Sequence, residues 1–368
     1  MKAAHSRPTK SNRVHKKISI GQHDFLCQGT AGNLTPNDDD QRGRQPPPFP
    51  STDTVKPLRL VFMGTPDFAV PSLRTLVEGP DTLVGVVTQP DQPAGRGMAL
   101  RPSAVKACAL EHDIPVFQPA KLRPPEVMAR LRDWQPDLLV IAAYGKLLPT
   151  SLLDLPPHGC INVHASLLPK YRGAAPIQWA IAHGERQTGV TIMQVNEYMD
   201  AGDILLQKAC SITETETGGS LHDTLSVLGA ETLDRALGLL KHGRLVARPQ
   251  DESQVTYAPA IKKEDGRIDW TQDALSIERR IRAFHPWPSA YTSLRGRLLK
   301  ISAVRVMQSA LSDVAPGTVL PSTPGQLLVA TGRGALALEE VQLAGKKRLA
   351  ITAFLRGQPQ TPGTLLGT

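Results

Sequence analysis

Asn162-Val163-His164 ends a short apolar run, CINVH (160–164). In an extended strand residues i and i+2 point to one face, so Asn162 and His164 would stand side by side. An amide donor beside an imidazole can stabilise a developing oxyanion and move a proton. Ligands of open α/β sheets lie outside the carboxyl ends of the strands, where this pair would sit. A buried, satisfied histidine next to a turn asparagine is the alternative, and spacing alone leaves both open. Asp200-Ala201-Gly202-Asp203 precedes a later apolar run. A carboxylate there could fix a histidine tautomer, or could belong to an ordinary Asp-Gly turn.

Two loops add cations. Gly95-Arg96-Gly97 follows Pro93, and Lys170-Tyr171-Arg172-Gly173 comes directly after the Asn/His pair. Arginine and lysine beside a site suit a phosphate-bearing substrate, while solvated loop charge explains each loop equally well. Gly64-Thr65-Pro66 follows the first apolar run, but G-x-G-x-x-G is absent, so a tight turn is favoured over a dinucleotide site. Cys27, Cys108, Cys160 and Cys210 form no C-x-x-C pair, which argues against structural zinc and for reduced thiols. No metal is expected.

These groups need a scaffold. Short apolar runs at 58–63, 83–88, 137–144 and 160–164 alternate with helical patterns at 67–78, 103–112 and 124–134. Strand–helix alternation predicts a doubly wound, mostly parallel α/β sheet. Later runs at 188–195 and 203–209 read as strands, 173–182 as a helix and 220–242 as a long one. Residues 247–262 are polar and hold two prolines, as a linker would. Short strand-like runs at 298–306, 325–332 and 334–345 then predict a small antiparallel barrel. The expected organisation is an extension and Pro-rich linker (1–56), an α/β domain (57–246), a linker (247–262) and a β-rich domain (263–368).

The chain has 368 residues, enough for two domains, and 40% of them are hydrophobic, too many for a mainly disordered chain. Charge separates the parts. Residues 1–56 hold nine basic and five acidic groups, 57–261 eighteen and twenty-one, and 262–368 fifteen and eight. The net charges are +4, −3 and +7, within a total of +8. A basic C-terminal part favours an anionic partner there. At 4% aromatic content, a nucleic-acid contact would not rest on a rich stacking surface. No apolar run reaches the ~18 residues of a membrane span, and the N-terminus lacks a secretory core. Its basic, acid-poor start faintly resembles an organellar transit peptide, but a disordered tail is favoured. A bacterial cytoplasmic location is expected, with an organelle matrix as the alternative.

Five stretches together carry a resemblance: VFMGTPDFAVPSL (61–73), QPDQPAGRG (89–97), AAYGKLLP (142–149), INVHASLLPKYRGAAPIQWAI (161–181) and NEYMDAGDIL (196–205). It continues through YAPAIKKEDGRIDW (257–270) and IRAFHPWPSA (281–290). From about Leu58 onward the chain resembles the folate-dependent formyltransferases, most closely those acting on initiator methionyl-tRNA. The resemblance implies formyl transfer from 10-formyltetrahydrofolate to the α-amino group of methionyl-tRNA, by a monomer, with an OB-like C-terminal domain holding the tRNA. It implies Asn162, His164 and Asp200 as the catalytic set, with Asp200 orienting His164. It places folate at Lys146, Leu147 and Leu148, at Ser166, Leu167, Leu168 and Pro169, and at the loop ending in Asp203. It suggests tRNA contacts at Arg96, Lys170, Arg172, Lys262 and Lys263. The extension and Met98-Ala99 depart from the family pattern. Other readings are a formyltransferase for an amino sugar or glycinamide ribonucleotide, a formyl-folate hydrolase, and a non-catalytic tRNA-binding protein.

Overall fold

The computed structural model describes residues 56–94, 99–307 and 314–367. Seven strands build the first sheet: β1 (Arg59–Gly64), β2 (Thr82–Val87), β3 (Val116–Phe117), β4 (Leu138–Ala142), β5 (Cys160–His164), β6 (Gln187–Gln194) and β7 (Ile204–Ser211). Their order is β7-β6-β5-β4-β1-β2-β3. β1 to β5 run parallel, while β6 and β7 join antiparallel. The winding reverses between β1 and β4, so a crevice opens beyond their carboxyl ends.

Helices α1 (Val70–Glu78), α2 (Ala104–Glu111), α3 (Pro125–Asp133), α4 (Pro176–Ala182) and α5 (Gly218–Lys241) accompany this sheet. Leu60 and Phe62 pack with α1 and α5, whereas Val61 and Met63 pack with α3. Both faces are therefore buried, which explains why these strands read as unbroken apolar runs. Ser103 caps α2 as expected, its hydroxyl accepting from the Lys106 amide at 3.0 Å. Thr217 and Ser220 form a reciprocal capping box at the start of α5. A Cβ on Gly229 of α5 would lie 2.8 Å from Val163 Cγ1. That close approach seats α5 on the strand bearing Asn162 and His164.

The second domain holds α6 (Ala274–Ala283), β8 (Ala290–Leu294), β9 (Arg297–Met307), β10 (Val319–Leu320), β11 (Leu327–Ala330), β12 (Ala335–Leu343), β13 (Leu349–Ala350) and α7 (Ile351–Gly357). The antiparallel order is β8-β9-β12-β11-β10, with β13 on β12. Bridges from Leu366 to Leu294 and from Leu365 to Thr318 carry the chain's end along both edges, curling the sheet. Trp270, Ile281, Leu299, Leu336 and Phe354 are among its core.

Two domain features differ from the sequence expectation. The 247–262 segment is no free tether. Arg248 bridges Ile204, Tyr257–Ala258 pairs in parallel with Arg172–Gly173, and the Trp179 indole donates to the Pro259 carbonyl at 2.8 Å. Its polar residues bond to the first domain, where composition suggested only solvent. Ala283 and Phe284, from the second domain's stretch, are fully buried in the first domain's core. A boundary at 263 thus divides the chain but not the packing. The expected 1–56 extension lies, apart from Lys56, outside the described residues. Among the described residues no helix is long and apolar enough to cross a membrane.

The Gly229 contact is testable. Gly229→Val overpacks the α5–β5 contact and should cost about 1–3 kcal/mol, read as a lowered urea midpoint. Wild-type stability would refute the contact.

Candidate active site

A cleft of about 650 Å³ opens where the sheet order reverses. That volume lies within the roughly 300–1,000 Å³ usual for small-ligand sites. Pro66 and Phe68 follow β1 into it, Ile141 to Leu148 leave β4, Asn162 to Ala165 leave β5, and Met193 to Asp200 follow β6. Apolar walls thus end on a polar corner formed by Asn162, His164 and Asp200. Asn162 and His164 share one strand, and the antiparallel register of β6 against β5 brings the loop bearing Asp200 to them.

His164 is 6% exposed. Its Nε2 lies 3.0 Å from the Tyr171 carbonyl. A carbonyl only accepts, which assigns the proton of the neutral ring to Nε2. Nδ1 is left to exchange protons, and it lies 3.7 Å from Asp200 Oδ2. That gap is too long for a hydrogen bond. The same Oδ2 accepts from the Gly173 amide at 2.9 Å. The Tyr171 carbonyl therefore orients the imidazole, a role the resemblance had given to Asp200. Asp200 supplies a nearby negative charge for the ring when Nδ1 is protonated. Asn162 is half-buried, and among the described residues its carboxamide has no hydrogen-bond partner, so its N–H groups are available to a ligand in the cleft.

Backbone strain gathers here. Ala143, Tyr171 and Asp200 have φ of +47°, +63° and +51°. Left-handed non-glycine residues cost about 1–3 kcal/mol each and persist where their surroundings over-determine them. Ala143 and Asp200 line the cleft, and Tyr171 holds the histidine.

Residues 58–237 match the Formyl transferase family, and residues 260–359 match the Formyl transferase C-terminal domain. The chain belongs to the formyl transferase family. It is 50% identical over 310 residues to a protein named Methionyl-tRNA formyltransferase from Geobacter sulfurreducens, covering 84% of this chain and 97% of that one. Two solved structures of similar fold are more distant in sequence. WlaRD, a sugar 3N-formyl transferase crystallised with dTDP and 5-N-formyl-THF, aligns with a TM-score of 0.58 at 15% identity, over 79% of this chain and 99% of its own. HypX from Aquifex aeolicus, solved with tetrahydrofolic acid, aligns with a TM-score of 0.53 at 20% identity and covers 82% of this chain. The present chain spans about half of HypX, 47%. At such identities the likeness is one of fold.

Within this formyl transferase, Lys146, Leu147 and Leu148 line the cleft. Lys146 donates to the Ala120 carbonyl at 2.8 Å, and Leu147 is 79% exposed at the rim. Ser166, Leu167, Leu168 and Pro169 do not line it. The chain turns inward after Ala165: the Ser166 hydroxyl donates to the Lys170 carbonyl at 2.7 Å, and Leu168 packs on Met193 and Ile204. Asp203 is likewise outside the lining, and its carbonyl accepts from the Gln194 amide. These five shape the loops that carry the cleft.

The cations divide similarly. Arg172 is 4% exposed, and its guanidinium donates to Gln250 and Glu252 at 2.7–3.3 Å. It is committed to the protein interior and unavailable to a phosphate. Lys170 pairs on the surface with Glu185 at 3.2 Å. Lys262 and Lys263 are exposed at the domain junction. Arg96 lies outside the described residues.

Three site residues escaped the sequence reasoning. Tyr144 lines the cleft, and burial pushes its hydroxyl up to about 12, so it stays neutral at ordinary pH. Among the described residues that hydroxyl has no partner. His222 also lines the cleft, with Nδ1 3.0 Å from Asp223 and Nε2 3.5 Å from Asp67. Gln250 supports Asp200 from outside the cleft. Tyr144 lies within the quoted AAYGKLLP stretch, whereas His222 and Gln250 have no local signal. Cys108, Glu111 and His112 approach one another closely enough to ligate a metal, but none lines the cleft.

Arg172→Met separates a structural arginine from an RNA contact. It leaves Glu252 and Gln250 without their buried partner and should lower the unfolding midpoint. The salt dependence of tRNA affinity should keep its slope, because each lost phosphate contact would change that slope by about one. A flatter slope would restore Arg172 to the RNA interface.

Proposed function

We propose that this formyl transferase moves the formyl group of 10-formyltetrahydrofolate to the α-amino group of initiator methionyl-tRNA, giving N-formylmethionyl-tRNA and tetrahydrofolate. The observation that carries the proposal is the convergence of Asn162, His164 and Asp200 at one end of an apolar cleft. The 50% identity to a methionyl-tRNA formyltransferase, spanning both domains, favours tRNA over a sugar as acceptor. An amino-sugar or ribonucleotide acceptor would leave the basic second domain without a task. A tRNA acceptor fits the expected bacterial cytoplasmic location. Residues of one chain build the cleft, so a monomer suffices.

The apolar walls at Ile141, Leu148 and Val195 suit a flat heteroaromatic ring. Bound there, formyl-folate supplies an activated one-carbon group at the formate oxidation level. The Asn162 amide donates to the formyl oxygen as negative charge develops during attack by the amine. His164, held through Nε2, takes on Nδ1 the proton released by the attacking amine and passes it to the folate nitrogen as that nitrogen's bond to the formyl carbon breaks. Asp200 balances the imidazolium charge at 3.7 Å. The buried setting strengthens these interactions relative to water. No step requires a metal, because the donor is already activated.

Removing one oxyanion donor typically lowers the rate ~10²–10³-fold. Asn162→Ala and His164→Ala should each lose at least this much kcat in a formylation assay with methionyl-tRNA, while tRNA affinity stays near wild type. Near-wild-type turnover in either variant would sink the assignment. Formyl-folate hydrolysis without formylated tRNA would favour the hydrolase reading.

The exposed lysine pair at the junction gives a second test. Lys262→Glu combined with Lys263→Glu should weaken tRNA binding and reduce the slope of log affinity against log salt by about one per lost phosphate contact. An unchanged slope would remove the pair from the RNA interface.

A further inference from the structure

Gln250 lies outside the cleft, in the strap that leaves α5, and its carboxamide is fully used. Nε2 donates to the Asp200 carbonyl at 2.8 Å and to the Gly202 carbonyl at 2.7 Å. Oε1 accepts from Arg172 Nε at 3.1 Å and Nη2 at 2.9 Å. A primary amide offers two N–H groups and two lone pairs, and here all four are occupied. Only a group with donors on one side and an acceptor on the other fits this position.

The contacts close a ring around the proposed catalytic pair. The Arg172 side chain binds Gln250, while the backbone on either side of Arg172 serves the site. The Tyr171 carbonyl holds His164, and the Gly173 amide holds the Asp200 carboxylate. Gln250 completes the ring by gripping the Asp200 carbonyl. Asp200 needs that grip, because its φ of +51° is a sparsely populated conformation for a residue with a side chain. The Gly202 carbonyl, two residues on, is fixed by the same amide. Without these anchors Asp200 can relax toward ordinary backbone, drawing Oδ2 off the Gly173 amide and away from His164.

We propose that Gln250 is a positioning residue for formyl transfer: its carboxamide, backed by Arg172, holds the strained Asp200 loop so that the carboxylate faces His164 Nδ1. The proposal rests on the reading of Asn162, His164 and Asp200 as the reacting set.

Gln250→Glu isolates the effect. The isosteric carboxylate keeps both acceptor contacts to Arg172, so docking of the strap survives. It turns an acceptor oxygen toward two carbonyl oxygens, so the grip on Asp200 and Gly202 is lost. Formylation by the full-length chain would be measured for the single variant, for Asp200→Ala and for the double variant, with thermal unfolding alongside. Misplacing a catalytic group by about 1 Å can cost up to ~10²-fold, so kcat should fall at least about tenfold in Gln250→Glu. KM for the donor and for methionyl-tRNA should each stay within about threefold of wild type, since the loss is confined to the transition state. In the Asp200→Ala background the same substitution should change kcat by less than about twofold, because residues acting through one another are not additive.

A wild-type kcat in Gln250→Glu overturns the proposal. So does an equal loss in both backgrounds, which would mean that Gln250 acts elsewhere. A wild-type kcat in Asp200→Ala brings down the catalytic reading first and the positioning role with it, so the two failures are distinguishable. Should Gln250→Glu prove unfolded, Gln250→Met takes its place, with the same kcat loss and the same dependence on Asp200 expected. A Met variant with wild-type kcat likewise overturns the proposal.

Discussion

One hydrogen bond sets the chemistry of the cleft: His164 Nε2 to the Tyr171 carbonyl. A carbonyl cannot donate, so this contact fixes the tautomer and leaves Nδ1 to exchange protons. Everything near it serves to hold that carbonyl. Tyr171 adopts a left-handed backbone, its amide donates to the Thr256 hydroxyl at 2.9 Å, and the Arg172 amide donates to the Thr256 carbonyl at 2.9 Å. A Cβ on Gly173 would sit 2.6 Å from the Ala258 carbonyl, and the glycine's own φ is +124°. Glycine at 173 thus allows the strap to lie against the loop. The proposed catalytic geometry belongs as much to residues 250–258 as to the strand that carries Asn162 and His164.

Charge and burial explain why that support is internal. Arg172 is almost fully buried, and a buried guanidinium left without partners is strongly destabilising. Gln250 and Glu252 meet it, and Glu252 remains largely open to solvent. The ion pair therefore keeps one hydrated end, which limits the desolvation cost of burying the arginine. The gain is local rigidity at the loop whose carbonyl and amide reach His164 and Asp200. Elsewhere in the cleft lining, Tyr144 keeps a buried hydroxyl with no partner among the described residues.

The sheet was legible because burial on both faces leaves a plain trace. Runs such as LLVIA have no polar alternation, and the helices between them carry their own apolar spacing, with Ser103 capping α2. The pair Asn162 and His164 was legible because period-two geometry is local. Asp200 was not: its nearness to His164 depends on strand register and on a left-handed turn, neither of which short-range spacing encodes. The residues left it open between a histidine partner and an ordinary Asp-Gly turn, and only the resemblance chose the former. The strap failed for a related reason. Polar composition with prolines reads as solvent-facing chain, but here the polar groups are the partners of another segment's backbone. Ser166 to Pro169 differ in the opposite sense: the resemblance gave them to the folate, whereas they lie outside the cleft lining.

The charge division takes a different form once these contacts are known. Several cations of the −3 segment are held by neighbouring carboxylates: Lys106 by Asp91, Lys170 by Glu185, Arg172 by Glu252 and Lys241 by Asp81. Paired charges attract a polyanion weakly, because the partner carboxylate repels it. The +7 segment carries Lys262 and Lys263 exposed at the junction. Ala283 and Phe284 anchor this segment in the first domain's core, and the Gly219 amide donates to the His285 carbonyl at 2.9 Å. A tRNA engaging the basic domain would therefore be held at a fixed position relative to the cleft. That coupling comes from apolar packing and backbone hydrogen bonds, which salt does not screen. On the proposed function, ionic strength should then govern whether tRNA arrives, while the path from the second domain to His164 stays unchanged.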